Sequence, residues 1–238
     1  MIRSLAVASL ALALGLAVMP GAAEAGSVIQ VVTVDVKPGM LEQYRQELKK
    51  VRGVLTRLGS KASMRAWNTT AGGPDSGQVL VGLEYPDEAA WAADSPKIQA
   101  DAEWQKIQSG LANVRTVVSN SIWRDVSPVV SKGAPGSTLV ITGVAVKPGR
   151  QDDYLQRVAS LNAVSDRLGL KGRTRVWHAT LAGPAAGSMA VGAEYPDLAS
   201  YVTEQGKMSA DAEWKKTLAG LDEVRTLTGR WLYQEITP

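Results

Sequence analysis

The chain has 238 residues, with 26 lysines and arginines against 23 aspartates and glutamates, a net charge of +3, one histidine and no cysteine. Without cysteine, disulfides, zinc thiolates and cysteine nucleophiles are excluded, and stability must come from packing. The basic excess is dispersed: Lys49-Lys50 and Lys215-Lys216 sit close to carboxylates, which argues against a nucleic-acid partner.

Arg3, an apolar run from Leu5 to Val18 and Ala23-Glu24-Ala25 form a secretory signal pattern, so residues 1–25 are expected to be removed after Ala25. The run is shorter than the roughly 20 residues of a membrane span, and none follows it. The mature chain is therefore expected in the periplasm or the medium, without a stable membrane anchor.

Residues 28–126 reappear without a gap as 138–236, with about 37 of 99 positions identical at an offset of 110. Two repeats of this length, joined by the Pro- and Gly-rich segment 127–137, can each bury a core. In each, a β-branched strand (Val28 to Val36) stops at Lys-Pro-Gly, residues 37–39 and 147–149. Leu41, Tyr44, Leu48, Val51, Leu55 and Leu58 then mark one stripe of a helix, ended by Gly59 or Gly169 in the left-handed conformation. Strands Ala62 to Thr69 and Val79 to Tyr85 form a hairpin about residues 72–77. Asp87 opens a second helical region that Pro96 or Gly206 is expected to interrupt before Ile98 to Leu111, and a last strand runs from Val114 to Trp123. The order βαββαβ predicts an α+β fold: two tandem ferredoxin-like repeats, each with its helices on one side of an antiparallel sheet.

Alternation places Met64, Ala66, Val79, Val81, Leu83 and Tyr85 toward the helices. The other face then carries Ile29, Val31, Arg65, Trp67, Leu80, Glu84, Arg115, Val117 and Trp123, too apolar to be left in water. The equivalent face of the other repeat is the nearest cover, so the repeats are expected to pack sheet to sheet as an intramolecular barrel. Further oligomerisation is left open.

The chain resembles the dimeric α/β-barrel superfamily, which includes antibiotic-biosynthesis-monooxygenase-like, EthD-like and NIPSNAP-like domains. The resemblance rests on Lys37-Pro38-Gly39, on Glu84-Tyr85-Pro86-Asp87 and on Asp101-Ala102-Glu103-Trp104, with counterparts at Glu194 to Asp197 and Asp211 to Trp214. It implies a shared barrel but no single activity, since members range from cofactor-free oxygenases to haem-binding proteins.

The candidate ligand-binding residues are Arg65, Trp67, Glu84 and Arg115 with their counterparts Arg175, Trp177, Glu194 and Arg225, all expected to face the interior. One reading makes the arginines and glutamates neighbouring-strand ion pairs of purely structural value. The other makes the tryptophans an aromatic wall and the arginines donors to a carboxylate or enolate. His178, the sole histidine, replaces Asn68 and is read as structural rather than as a haem ligand or general base. Asp101, Glu103, Asp211 and Glu213 are read as a solvated helix surface, and Tyr44 and Tyr154 as core. Gly72-Gly73-Pro74 lacks the lysine and context of a phosphate loop. No metal or cofactor is expected. An exported protein binding a small aromatic or acidic molecule between its sheets is the primary expectation. A cofactor-independent monooxygenase-like enzyme acting on an electron-rich aromatic substrate is the alternative, and a solidly packed interior the third.

Overall fold

The computed structural model describes residues 26–128 and 136–237. The expected signal segment and residues 129–135 of the expected linker lie outside the described residues. The first half comprises β1 (Val28–Val36), α1 (Leu41–Arg57), β2 (Ser63–Ala71), β3 (Val79–Tyr85), α2 (Glu88–Ala100), α3 (Ala102–Leu111) and β4 (Arg115–Asp125). The second comprises β5 (Thr138–Val146), α4 (Gln151–Arg167), β6 (Arg173–Leu181), β7 (Met189–Tyr195), α5 (Leu198–Ala210), α6 (Ala212–Leu221) and β8 (Arg225–Glu235). No helix among the described residues is long and apolar enough to cross a membrane.

The eight strands form one closed antiparallel barrel in the order β1-β3-β2-β8-β5-β7-β6-β4. The two sheets therefore do more than stack face to face: their edge strands hydrogen-bond. At one seam Trp67, Asn68, Thr69 and Ala71 of β2 lie opposite Glu235, Gln234, Tyr233 and Leu232 of β8. At the other, Ile122 to Asp125 of β4 lie opposite residues 181–177 of β6. The last strand of each half runs two residues beyond its expected end at the Trp123 position, and those residues belong to the seams. Closure satisfies edge N–H and C=O groups that an open sheet would leave unpaired.

The helices cover the outside of the barrel. In the first half Tyr44, Leu48, Val51, Val54 and Leu55 of α1 pack on Met64, Ala66, Val79, Val81, Leu83 and Tyr85, as the alternation requires, while Leu41 at the helix start stays exposed. A smaller core does the same in the second half around Val144, Tyr154, Val158, Val176 and Leu221. Both first helices end on a left-handed glycine, Gly59 (φ 62°) and Gly169 (φ 63°). The N–H groups of Ser60 and Leu170 close the turn onto the carbonyls of Leu55 and Ser165.

The second helical region breaks later than expected. Pro96 and Gly206 both lie inside helices; the interruption falls at Asp101 and Asp211, where the backbone is extended. Each aspartate accepts the N–H three residues on, Trp104 at 2.9 Å and Trp214 at 2.8 Å, and so starts a new helix. Arg57 and Arg167 pair with these caps at 2.9 and 2.8 Å, tying α1 to α3 and α4 to α6. Asp101 and Asp211 are thus helix caps paired with arginine, whereas Glu103 and Glu213, 58 % and 61 % exposed, form the solvated face expected of all four. Asp101→Ala and Asp211→Ala are each expected to lower the urea unfolding midpoint, since each removes an N-cap.

Candidate functional site

Strand direction puts the charged residues of the barrel at one end. β2 and β6 begin there with Arg65 and Arg175, while β3, β7, β4 and β8 finish there with Glu84, Glu194, Asp125 and Glu235. The hairpin turns 72–78 and 182–188 lie at the other end.

Each guanidinium is held by carboxylates of the opposite half. Arg65 donates to Glu194 at 2.6 Å, to Glu235 at 2.8 and 3.1 Å, and to the Gly136 carbonyl at 2.7 Å. Arg175 donates to Glu84 at 2.5 and 3.1 Å, to Asp125 at 2.8 Å and to the Ser27 hydroxyl at 2.8 Å. The expected pairing of arginine and glutamate on neighbouring strands of one repeat is therefore replaced by an exchange. Within a sheet Arg65 lies opposite Gly82, not Glu84, whereas the seams bring Glu235 and Asp125 alongside. Burial raises the Glu84 carboxyl, but Arg175 and Ser27 outweigh it and hold it below its ordinary 4.5. Glu235 is likewise held below 4.5, chiefly by its hydrogen bond from Arg65.

Beyond this charged end the barrel encloses a cavity of about 420 Å³, lined by Ile29, Val31, Leu80, Leu139, Ile141, Trp67, Trp123, Trp177, Trp231 and Tyr233 among others. Trp67 and Trp177 fit because inward-facing glycines leave room: a Cβ on Gly82 would lie 3.3 Å from Trp67 Cζ3, and one on Gly192 only 2.4 Å from Trp177 Cζ3. The Arg65 and Arg175 guanidiniums stack 4.8 and 5.1 Å from these indole centroids. The Nε1 atoms of both indoles are buried without a hydrogen-bond partner. The exposed residues Val118, Ser119, Ala185 and Thr228 contribute to the lining, so the cavity reaches solvent at the hairpin end.

Arg115 and Arg225 do not face this interior. A β-bulge sets Thr33 opposite Ser119 but Val34 opposite Val117, and the same irregularity recurs between Gly143 and Val144. One extra residue reverses the alternation before it, so Arg115 and Arg225 fall on the helix side, and Val118 rather than Val117 meets the cavity. Arg115 donates to Gln108 of α3 at 3.1 Å. Arg225 lies 6.0 Å over the Tyr154 ring, with Asp222 4.0 Å away and its Nε without a hydrogen-bond partner.

Arg225 borders a second cavity of about 280 Å³ between sheet and helices of the second half. Thr142, Ser165, Thr174 and Ala193 line it, where the first half has Val32, Leu55, Met64 and Leu83 filling the core. The counterpart of Gln108 is Leu218, so Arg225 lacks the partner that Arg115 has. Tyr44 and Tyr154 are core residues, 2 % and 0 % exposed; burial pushes Tyr44 up to about 12 against the opposing charge of Arg115, and raises Tyr154 as well. His178 pairs through its backbone with Arg124 and Met189, and its side chain is not part of either cavity. Among the described residues no group of three or more His, Asp or Glu side chains is placed to hold a metal.

Sequence reasoning missed Asp125, Glu235, Asp75 and Trp231. The first two occupy equivalent positions of the repeat and are both acidic, a signal hidden by ending the last strand at Trp123. Trp231 stands where the first half has Ser121, and nothing in the repeat announces it.

No family model matches the chain, and no curated protein matches it. Solved structures share its fold. A presumed monooxygenase from Lactobacillus acidophilus superposes with a TM-score of 0.61 at 8% identity, covering 89% of this chain and 93% of its own. A presumed monooxygenase from Fusobacterium nucleatum gives 0.59 at 12% identity, with the same coverages. A haem-binding protein from Thermus thermophilus gives 0.52 at 9% identity, covering 88% of this chain and 91% of its own. The chain thus has the architecture of the dimeric α/β barrels, and identities this low carry the fold alone.

Proposed function

We propose that the chain is an exported, internally duplicated α/β-barrel protein that binds a small aromatic molecule inside its barrel. On this reading residues 1–25 are the signal, 28–126 and 138–236 are ferredoxin-like repeats standing for the two subunits of a dimer, and 127–137 connects them. The observation that carries it is the 420 Å³ interior walled by Trp67, Trp123, Trp177, Trp231 and Tyr233. Its size is ordinary for a small-molecule site, and its walls are apolar and aromatic. Arg65 and Arg175, the two candidate arginines that line this interior, are committed to Glu84, Asp125, Glu194 and Glu235, which removes the basis for an acidic ligand inside the barrel. Of the eight candidates, Trp67 and Trp177 carry the binding role, while Arg65, Glu84, Arg175 and Glu194 close one end of the chamber.

Native mass spectrometry of protein exported by its own host tests this. A one-to-one small-molecule adduct is expected, and Ala190→Trp, which plants an indole in the lined space, should abolish it. Retention of the adduct in a folded Ala190→Trp variant would locate the ligand elsewhere and end the proposal.

A second reading, an oxygenase acting on an electron-rich phenol without a cofactor, is favoured by one observation: the unpartnered Nε of Arg225 beside the helix-side cavity. A buried guanidinium there would stabilise a phenolate. Oxygen uptake with hydroquinones is then expected to fall at least tenfold in Arg225→Met and to persist in Trp67→Phe. The same rate in both variants would exclude that site.

A further inference from the structure

The charges around the barrel cavity are not spread evenly. At the closed end Arg65 and Arg175 are joined by Arg52, beside Glu235, and by Arg173, beside Glu84. These four guanidiniums stand against four carboxylates, Glu84, Asp125, Glu194 and Glu235, so that end is neutral as a whole. At the hairpin end the balance is broken. Asp75 of the turn 72–78 lines the cavity, and its counterpart across the mouth is Ala185. Asp35 adds a second carboxylate. It follows Ile29, Val31 and Thr33 on the inward face of β1, is exposed, and stands next to Gln78 of the same turn, since Val34 lies opposite Val79. Its counterpart is Ala145. The lysine that follows each of these strands, Lys37 or Lys147, is common to both halves and does not offset the difference. Arg230, next to Trp231 in the chain, lies on the helix side, where it borders the second cavity.

Among the described residues neither Asp35 nor Asp75 forms an ion pair. Asp75 accepts one side-chain hydrogen bond, from Trp231 Nε1 to Oδ2 at 2.7 Å. Its Oδ1 takes none and is accessible, unlike the indole nitrogens of Trp67 and Trp177, which are sealed in packing. Trp231 is held in place beside it: an added Cβ on Gly72 or Gly229 would come within 2.4 or 2.3 Å of the ring, and the counterpart of this tryptophan is Ser121. An open anionic oxygen and a fixed aromatic ring thus meet on one side of the mouth, above a chamber with apolar walls. That pair suits a cation, because the carboxylate accepts an N–H and the indole face attracts positive charge. An anion would meet two like charges there.

Resting on the reading that the barrel interior is a binding site, we propose that its ligand is an aromatic amine, bound as the ammonium ion. Its ring occupies the chamber among Trp67, Trp123 and Trp177, and its ammonium group stays at the mouth, donating to Asp75 Oδ1 against Trp231. Asp35 attracts the cation on approach without touching it. Ala145 and Ala185 leave the opposite rim uncharged, so the amine settles on one side of a chamber whose two halves otherwise match.

Three probes share one ring system and differ in the charge of the tail: 2-(2-naphthyl)ethylamine, 2-(2-naphthyl)ethanol and 2-naphthylacetate, titrated calorimetrically against the exported chain at neutral pH and low salt. The amine is expected to bind one to one and about 3–10-fold tighter than the alcohol, the range of a charge-assisted hydrogen bond discounted for solvent, with the acetate weakest. Asp75→Asn keeps an oxygen for Trp231 Nε1 and removes the charge, and should erase most of the preference for amine over alcohol. Ala190→Trp, which fills the chamber, should abolish binding of all three. If the alcohol or the acetate binds as tightly as the amine, or if folded Asp75→Asn protein keeps the full preference, the ligand class is wrong while the barrel site stands. If the amine binds a folded Ala190→Trp variant undiminished, or if none of the three probes binds, the barrel reading fails and the ligand class with it.

Discussion

Replacing Arg175 by methionine is expected to destabilise the protein by about 3–5 kcal/mol, the cost of removing one member of a buried ion-pair group. The side chain is only 9 % exposed and neutralises Glu84 and Asp125, whose own side chains are 33 % and 15 % exposed. Methionine fills much of the same space, so the loss comes from stranding two carboxylates rather than from a void. Adding Glu84→Gln and Asp125→Asn to Arg175→Met should therefore recover most of the stability in chemical denaturation. A triple variant no better than the single one would show that packing, not charge, is at stake. Acid acts on the same groups. Glu84 and Glu235 have folded pKa values below their ordinary 4.5, so their stabilising contribution is complete above that value and is lost as pH falls through the folded values. Unfolding midpoints should be flat with respect to these groups above pH 4.5 and decline below it, and Arg175→Met should flatten the Glu84 part of that decline.

Filling the second half's outer core should act in the opposite direction. Ser165→Leu, Thr174→Met and Ala193→Leu restore the residues found at the equivalent places of the first half, Leu55, Met64 and Leu83, all buried there. Cavity-filling substitutions commonly yield about 0.5–2 kcal/mol each, so the three together are expected to add roughly 2–5 kcal/mol. Partial cancellation is built in, because their side chains share one space and will not add independently. The variant also divides the two functional readings: it should leave barrel ligands bound as before and eliminate any chemistry that needs Arg225. A destabilised variant would mean that the second half has closed over the missing volume in another way, with overpacking as the result.

The sequence was most legible where one residue answers to one local rule. Val28 to Val36 and Val79 to Tyr85 are strands to the residue, because β-branched alternation and Lys-Pro-Gly or Pro-Asp punctuation mark both ends. Gly59 and Gly169 cap helices because only a left-handed residue fits there. The helix side of β2 and β3 followed from alternation alone. What escaped depended on partners far along the chain. A proline read as a breaker stayed inside α2, since Asp101 offered the stronger local signal by capping the next helix. One residue of bulge between Val117 and Ser119 turned Arg115 to the helices, and strict alternation has no means of foreseeing an insertion. The candidate tryptophans were found because the repeat presents them twice on one face. Trp231 and Asp75 were not, since their meaning lies in differing from Ser121 and Ala185, and that contrast matters only once the hairpin of one half is seen to touch the last strand of the other.

The crossed clamps decide what either half could do alone. Arg65 seeks two carboxylates it does not find in its own half, while Glu84 and Asp125 of that half await a guanidinium from outside. The first half is thus complementary to a rotated copy of itself: its arginine would meet a twin's acids, and the twin's arginine its own. A gene cut to this half alone would yield a chain whose charges are settled only by finding a second one, and folding would become concentration-dependent. The covalent join turns that search into an intramolecular event, so that neither half has to meet a second chain.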